Sequence, residues 1–168
     1  MQELIGNVIV NFPYKPYNLQ KDYMRCVINS CENEEYALLE SPTGTGKTLS
    51  LLCSVLSWKR HHQMEIQKLD QVSISKSLIT ENPSKAPQEH NATNQTLHQM
   101  PTTHIIYSSR THSQLSNVIN ELKKTIFRPT VSQIASRTRL CLIEDIIKHG
   151  DSTSQSKKCR LLRRDKKC

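Results

Sequence analysis

Apolar side chains fall along this chain in short blocks whose spacing changes from one block to the next. Residues 6–12 (GNVIVNF) are rich in branched apolar side chains and stop at Pro13, which predicts a short strand and then a rigid turn through Pro16. In residues 17–31, Leu19, Tyr23, Met24, Val27, Ile28 and Cys31 recur at helical spacing, while Lys21, Asp22 and Arg25 take the opposite face. Residues 36–40 (YALLE) form a brief apolar run before Pro42, as in a strand buried on both faces of a parallel sheet. Residues 49–58 (LSLLCSVLSW) are apolar almost all round and predict a buried helix.

The pattern then lapses. Between about residues 61 and 103 there is no aromatic residue and no glycine, and Asn, Gln, Ser and Pro crowd residues 81–101, which predicts a mobile surface insertion. Order resumes with a strand candidate at 104–108 (HIIYS) and a helix over 113–124 carrying Leu115, Val118, Ile119 and Leu122 on one stripe. A further strand is expected at 131–135, and a helix over 140–148 with Leu142, Ile146 and Ile147 on its apolar side. Strands alternating with helices imply an α/β fold built on a parallel sheet with crossover helices.

Composition narrows the function. The chain has 168 residues, 23 Lys+Arg against 15 Asp+Glu, and a formal net charge of +8, which favours an anionic partner such as nucleic acid. No apolar run is long enough to span a bilayer, so no membrane partner is expected. Six cysteines are too sparse for a secreted disulfide scaffold and imply a reducing compartment. Cys26, Cys31 and Cys53 are expected to pack in the apolar faces of helices. The basic stretch 157–168 (KKCRLLRRDKKC) reads as a DNA-facing wall, a nuclear import address or a solvated charged loop.

The strongest chemical signal is SPTGTGKT, residues 41–48, set between a predicted strand and a predicted helix. Gly44 and Gly46 can take backbone angles that turn successive N–H groups toward phosphate oxygens. Lys47 offers a point charge to the terminal phosphates, Thr48 offers a hydroxyl to Mg²⁺, and the helix starting there directs its positive end at the anion. Ser41, Pro42, Thr43 and Thr45 complete the cradle, with Ser41 standing where the strict motif has glycine. The plain alternative is a glycine-rich turn before a helix.

The strings FPYKPYNLQ, ESPTGTGKT, IIYSSRTHSQLSNVINEL and SRTRLC, in this order, resemble the XPD-like iron–sulfur DNA helicases of superfamily 2. The resemblance implies a RecA-like first helicase domain over residues 1–135, with the insertion at about 61–103, and the beginning of an iron–sulfur domain over 136–168. It implies ATP and Mg²⁺ as cofactors, single-stranded or forked DNA as partner, a nuclear location, and 5′ to 3′ unwinding in telomere maintenance, DNA repair and disassembly of recombination intermediates.

Residue by residue, the resemblance makes Gln20 an adenine reader, where periodicity alone gives a polar residue on an amphipathic helix. It makes Arg110, Thr111 and His112 donors to the backbone of single-stranded DNA; read without it, residues 109–114 are a polar strand-to-helix loop with a good cap. It also makes Cys141, Cys159 and Cys168 three ligands of a [4Fe–4S] cluster, although their spacing matches no simple zinc or redox motif and a fourth ligand is lacking. The chain carries no D-E-A-H string, so these residues alone are expected to unwind little or no DNA. The alternatives are a nucleotide- or nucleic-acid-binding module without helicase activity, and an unrelated P-loop ATPase or kinase.

Overall fold

The computed structural model describes residues 1–79, 103–148 and 151–167, the side chains of 73–79 and of 137–138 excepted. The described residues fall into two compact units, Met1–Arg128 and Pro129–Cys168.

The first unit opens with a hairpin. Strands β1 (Gln2–Ile5) and β2 (Val8–Asn11) pair antiparallel, with Ile5 opposite Val8. The two-residue turn between them places Gly6 at φ +62°, a left-handed conformation that suits the twist of the flanking strands. Alternation sends Ile5, Val8, Val10 and Phe12 inward and leaves Leu4 and Ile9 exposed. The inward face meets Met24 and Ile28 of α1 (Asn18–Glu32) and Leu49 and Cys53 of α2 (Lys47–Ile79), with Trp58 packed at the edge. Two polar ties fix the hairpin to these helices: Lys21 pairs with Glu3 at 2.8 Å, and the Asn11 amide donates to the Ser57 hydroxyl at 3.2 Å.

Helix α1 follows the predicted stripe and ends where Glu34 takes φ +55° and its neighbour Glu35 donates back to the Ser30 carbonyl at 2.9 Å. Helix α2 runs well past the expected residue 58 and takes up the first part of the expected insertion. Polarity does not stop a helix; proline and glycine do, and neither occurs between Lys47 and Ile79. The remainder of that insertion lies outside the described residues.

The expected parallel sheet is not seen among the described residues. Among the described residues the only sheet is the β1–β2 hairpin, and segments 36–40, 104–108 and 131–135 carry no strand. A strand buried on both faces needs a paired strand at each edge, and no described strand pairs with these segments. Tyr36, Leu38, Ile106 and Ile134 are accordingly exposed.

Helix α3 (His112–Lys124) agrees with its predicted stripe, burying Val118, and ends on two lysines that suit the negative end of the helix dipole. In the second unit the helix expected over 140–148 is broken into α4 (Arg137–Leu140) and α5 (Glu144–Ile147). Ile143 takes an extended N-cap conformation between them, so Leu142 points to solvent while Ile146 is buried. The basic stretch lies mostly on α6 (Ser152–Arg164), which buries Cys159 and packs against α4 and α5.

Candidate functional site

Residues 41–46 lead directly into α2, and the loop they form is closed by its own side chains. Gly44 and Gly46 sit at φ +86° and +76°, where a side chain is strained. The Thr45 hydroxyl donates to the Pro42 carbonyl at 2.9 Å and lies 2.6 Å from the Ser41 hydroxyl. The Lys47 ammonium bonds the carbonyls of Ser41 and Pro42, the second at 2.7 Å, which leaves one of its three N–H groups for another acceptor. Thr48 lies in the first turn of α2, a turn without an acidic residue, so the amide end of the helix keeps its positive character.

A shallow cleft borders this loop, lined by Leu19, Gln20 and Tyr23 of α1 and by Ser41, Thr45, Lys47 and Ser50. Gln20 is 8% exposed; its Oε1 accepts from the Tyr17 amide and its Nε2 donates to the Thr45 carbonyl, both at 3.0 Å. The Tyr23 hydroxyl is held above its ordinary pKa, first by burial and then by nearby Tyr107. Ser50 is 1% exposed and its Oγ has no hydrogen-bond partner among the described residues.

Motif reasoning did not single out Ser50 or Tyr23, yet the signal was in the spacing. Ser50 lies three positions after Lys47 and Tyr23 three after Gln20, which on a helix puts each beside the motif residue.

The second singled-out segment is held differently. Thr111 is the N-cap of α3, its hydroxyl accepting from the Gln114 amide at 3.4 Å while the Gln114 side chain accepts from the Thr111 amide at 3.3 Å. Arg110 is exposed, and half-buried His112 has an Nδ1 without a partner among the described residues.

Cysteine placement differs from the expectation in two ways. Cys53 is a core residue whose thiol is pushed up to about 12 by burial, and Cys31 is half-buried, but Cys26 is exposed because it lies off the apolar stripe of α1. Cys141 is half-buried and Cys159 is buried on the inner face of α6, while Cys168 lies outside the described residues. Among the described residues no group of three His, Cys, Asp or Glu side chains is placed to hold a metal ion, so the described residues do not form the donor set of a cluster.

The DEAD_2 family model matches residues 107–168, the span that begins just before the Arg110 segment and contains all three of these cysteines. The whole chain is similar to a set of helicases. It is 36% identical over 162 residues to "Regulator of telomere elongation helicase 1" of Mus musculus, covering 94% of this chain and 13% of that protein. The Anopheles gambiae homolog is 41% identical over 165 residues, with 94% of this chain and 16% of that protein covered. Residues 107–168 thus carry the DEAD_2 match, and the chain as a whole is similar to a short part of these helicases. The Drosophila melanogaster homolog adds 37% identity over 172 residues, 99% of this chain and 17% of that protein, so the matched relatives are several times longer than the chain. No solved structure matches significantly.

Proposed function

We propose that this chain forms the ATP-binding portion of a DEAD_2 helicase that moves 5′ to 3′ on single-stranded or forked DNA in the nucleus, acting in telomere maintenance and DNA repair. The observation that carries the reading is the loop of residues 41–48, in which two left-handed glycines lead into Lys47 at a helix N-terminus, with Lys47 on the wall of the cleft. Lys47 supplies the charge facing the terminal phosphates, and backbone N–H groups from Gly44 onward supply the donors. Thr48 supplies the hydroxyl for Mg²⁺, which when bound neutralises charge developing on the phosphates. Gln20 keeps one acceptor lone pair and one N–H beyond its two internal bonds, the pair of groups an adenine edge requires.

In this reading Arg110, Thr111 and His112 face the DNA backbone, a role supported by the exposure of Arg110 and Thr111. Residues 1–135 belong to a RecA-like domain, and 136–168 begin an iron–sulfur domain in which Cys141, Cys159 and Cys168 supply three thiolates in the longer protein. The order of the cysteines within the family-matched span supports that assignment, and no step of the nucleotide chemistry is routed through the cluster.

Titration of the full-length protein with a fluorescent ATP analogue and Mg²⁺ tests the nucleotide site directly. Saturable binding, competed by unlabelled ATP, is expected; its absence from a folded protein overturns the reading.

A further inference from the structure

We infer that Ser41 is a positioning residue for Lys47: its hydroxyl, acting through the hydroxyl of Thr45, fixes a carbonyl against which the ammonium rests. The inference rests on the nucleotide-site reading above. It also accounts for the departure of the loop from the strict motif, in which a glycine stands where this chain has Ser41. Two contacts carry it. The Ser41 Oγ lies 2.6 Å from the Thr45 Oγ1, and the Thr45 Oγ1 donates to the Pro42 carbonyl at 2.9 Å. A hydroxyl has a single hydrogen to donate, and that of Thr45 is committed to Pro42. Ser41 is therefore the donor in the hydroxyl pair, and the bonds run in one direction, from Ser41 to Thr45 to Pro42.

The direction of these bonds matters because they end on an acceptor of Lys47. The Pro42 carbonyl has two lone pairs; one accepts the Thr45 hydroxyl and the other accepts the Lys47 ammonium at 2.7 Å. The Ser41 carbonyl takes a second N–H of the same ammonium. Ser41 thus reaches Lys47 twice, directly through its carbonyl and indirectly through its hydroxyl, and a glycine would supply only the first contact. With two N–H groups held, the tetrahedral ammonium directs its third N–H along a fixed line before any ligand arrives, which reduces the ordering that phosphate binding must impose. Ser41, Thr45 and Lys47 all line the cleft, so the braced groups stand at the place where a phosphate would enter. The bonds lie within residues 41–47, and none of these residues belongs to the hydrophobic core, so their loss disturbs the loop and leaves the fold in place.

A double-mutant cycle in the full-length protein tests the hydroxyl pair. Wild type, Ser41→Ala, Thr45→Val, the double variant and Thr45→Ser are titrated with magnesium and inorganic tripolyphosphate, and melting curves identify the folded variants. Valine keeps the shape of Thr45 and removes its hydroxyl, whereas serine keeps the hydroxyl. Ser41→Ala is expected to weaken tripolyphosphate binding by about threefold to tenfold, the scale of one hydrogen bond, and Thr45→Val by at least as much. Thr45→Ser should bind as wild type does, and the double variant no more weakly than Thr45→Val, because Ser41 acts through the hydroxyl that valine has already removed. If Ser41→Ala binds as tightly as wild type, or if the two losses simply add in the double variant, the inference is overturned with the nucleotide site intact. An additional loss from Ser41→Ala when Lys47 is already alanine would overturn it as well. If the folded wild-type protein binds neither tripolyphosphate nor Mg·ATP, the nucleotide reading fails and the inference with it. Should either single variant fail to fold, Ser41→Gly and Thr45→Ala take their places and are read in the same way.

Discussion

The loop of residues 41–48 and the cysteines of the second unit were both singled out by motif or resemblance, and the structure treats them in opposite ways. Every contact that closes the loop spans a few residues or crosses to one neighbouring helix, as in Lys47 to Pro42, Thr45 to Pro42 and Gln20 to Thr45. Cys141 lies in the break between α4 and α5, and Cys159 is a buried residue of α6. A motif continuous in sequence assembles itself through local geometry. A donor set scattered along the chain exists only where long-range packing gathers it.

The sharpest way to break that contrast is at Lys47. In the full-length protein Lys47→Ala is expected to lower ATP hydrolysis on the order of 100-fold or more without altering the melting temperature, because the ammonium bonds only exposed or half-buried loop carbonyls and supports no core packing. Steady-state ATPase assays beside melting curves check it; near-normal turnover would mean that the loop closes without serving catalysis.

Packing beneath the loop should show the reverse profile. Met24 is fully buried between the hairpin and α2, so Met24→Ala is expected to cost about 2–5 kcal/mol of stability, read from denaturant melts, while leaving the loop's own bonds in place. An equal loss of nucleotide affinity at temperatures where the variant stays folded would show that the loop depends on the core more than its short-range contacts suggest.

A smaller effect is expected at the cap of α3. Thr111→Ala should cost about 1 kcal/mol, and Thr111→Ser should recover most of it, since both hydroxyls accept from the Gln114 amide. If Thr111→Ser restores stability and single-strand DNA binding together, the cap and the proposed backbone contact share one hydroxyl.

The smallest effect belongs to the second unit. The Asp151 carboxylate caps α6, and the backbone amides of Ser154 and Thr153 hold its pKa below the ordinary carboxylate value. A depressed carboxylate contributes stability fully above its unfolded pKa and loses it as pH falls through the folded one. Helix content of α6 followed by NMR should therefore decline on acidification below about pH 4, and Asp151→Asn should flatten that dependence. An unchanged acid transition in the asparagine variant would mean that the cap does not control the helix.

Legibility in the sequence tracked the range of the interactions. The stripes of α1 and α3 were readable because helix periodicity is a local property, and Gly44, Gly46, Lys47 and Thr48 were readable because their roles follow from residue type and order. The extension of α2 to Ile79 was missed because polarity was weighed above the absence of helix breakers. The break at residues 141–143 was missed because apolar spacing is nearly indifferent to one extended residue at Ile143.

Local chemistry in the chain was enough to specify the cap at Thr111 and the left-handed bends of the phosphate loop, since each depends on the backbone freedom or side-chain donors of neighbouring residues. Which residues meet the loop was a matter of folding in three dimensions. Gln20 stands 25 positions before Thr45, and only the packing of α1 against α2 brings its amide to that carbonyl and leaves the Ser50 hydroxyl buried in the cleft wall. The same dependence explains the apolar segments 36–40 and 104–108: their composition suits strands, but a strand is completed by partners that the composition of one segment does not supply.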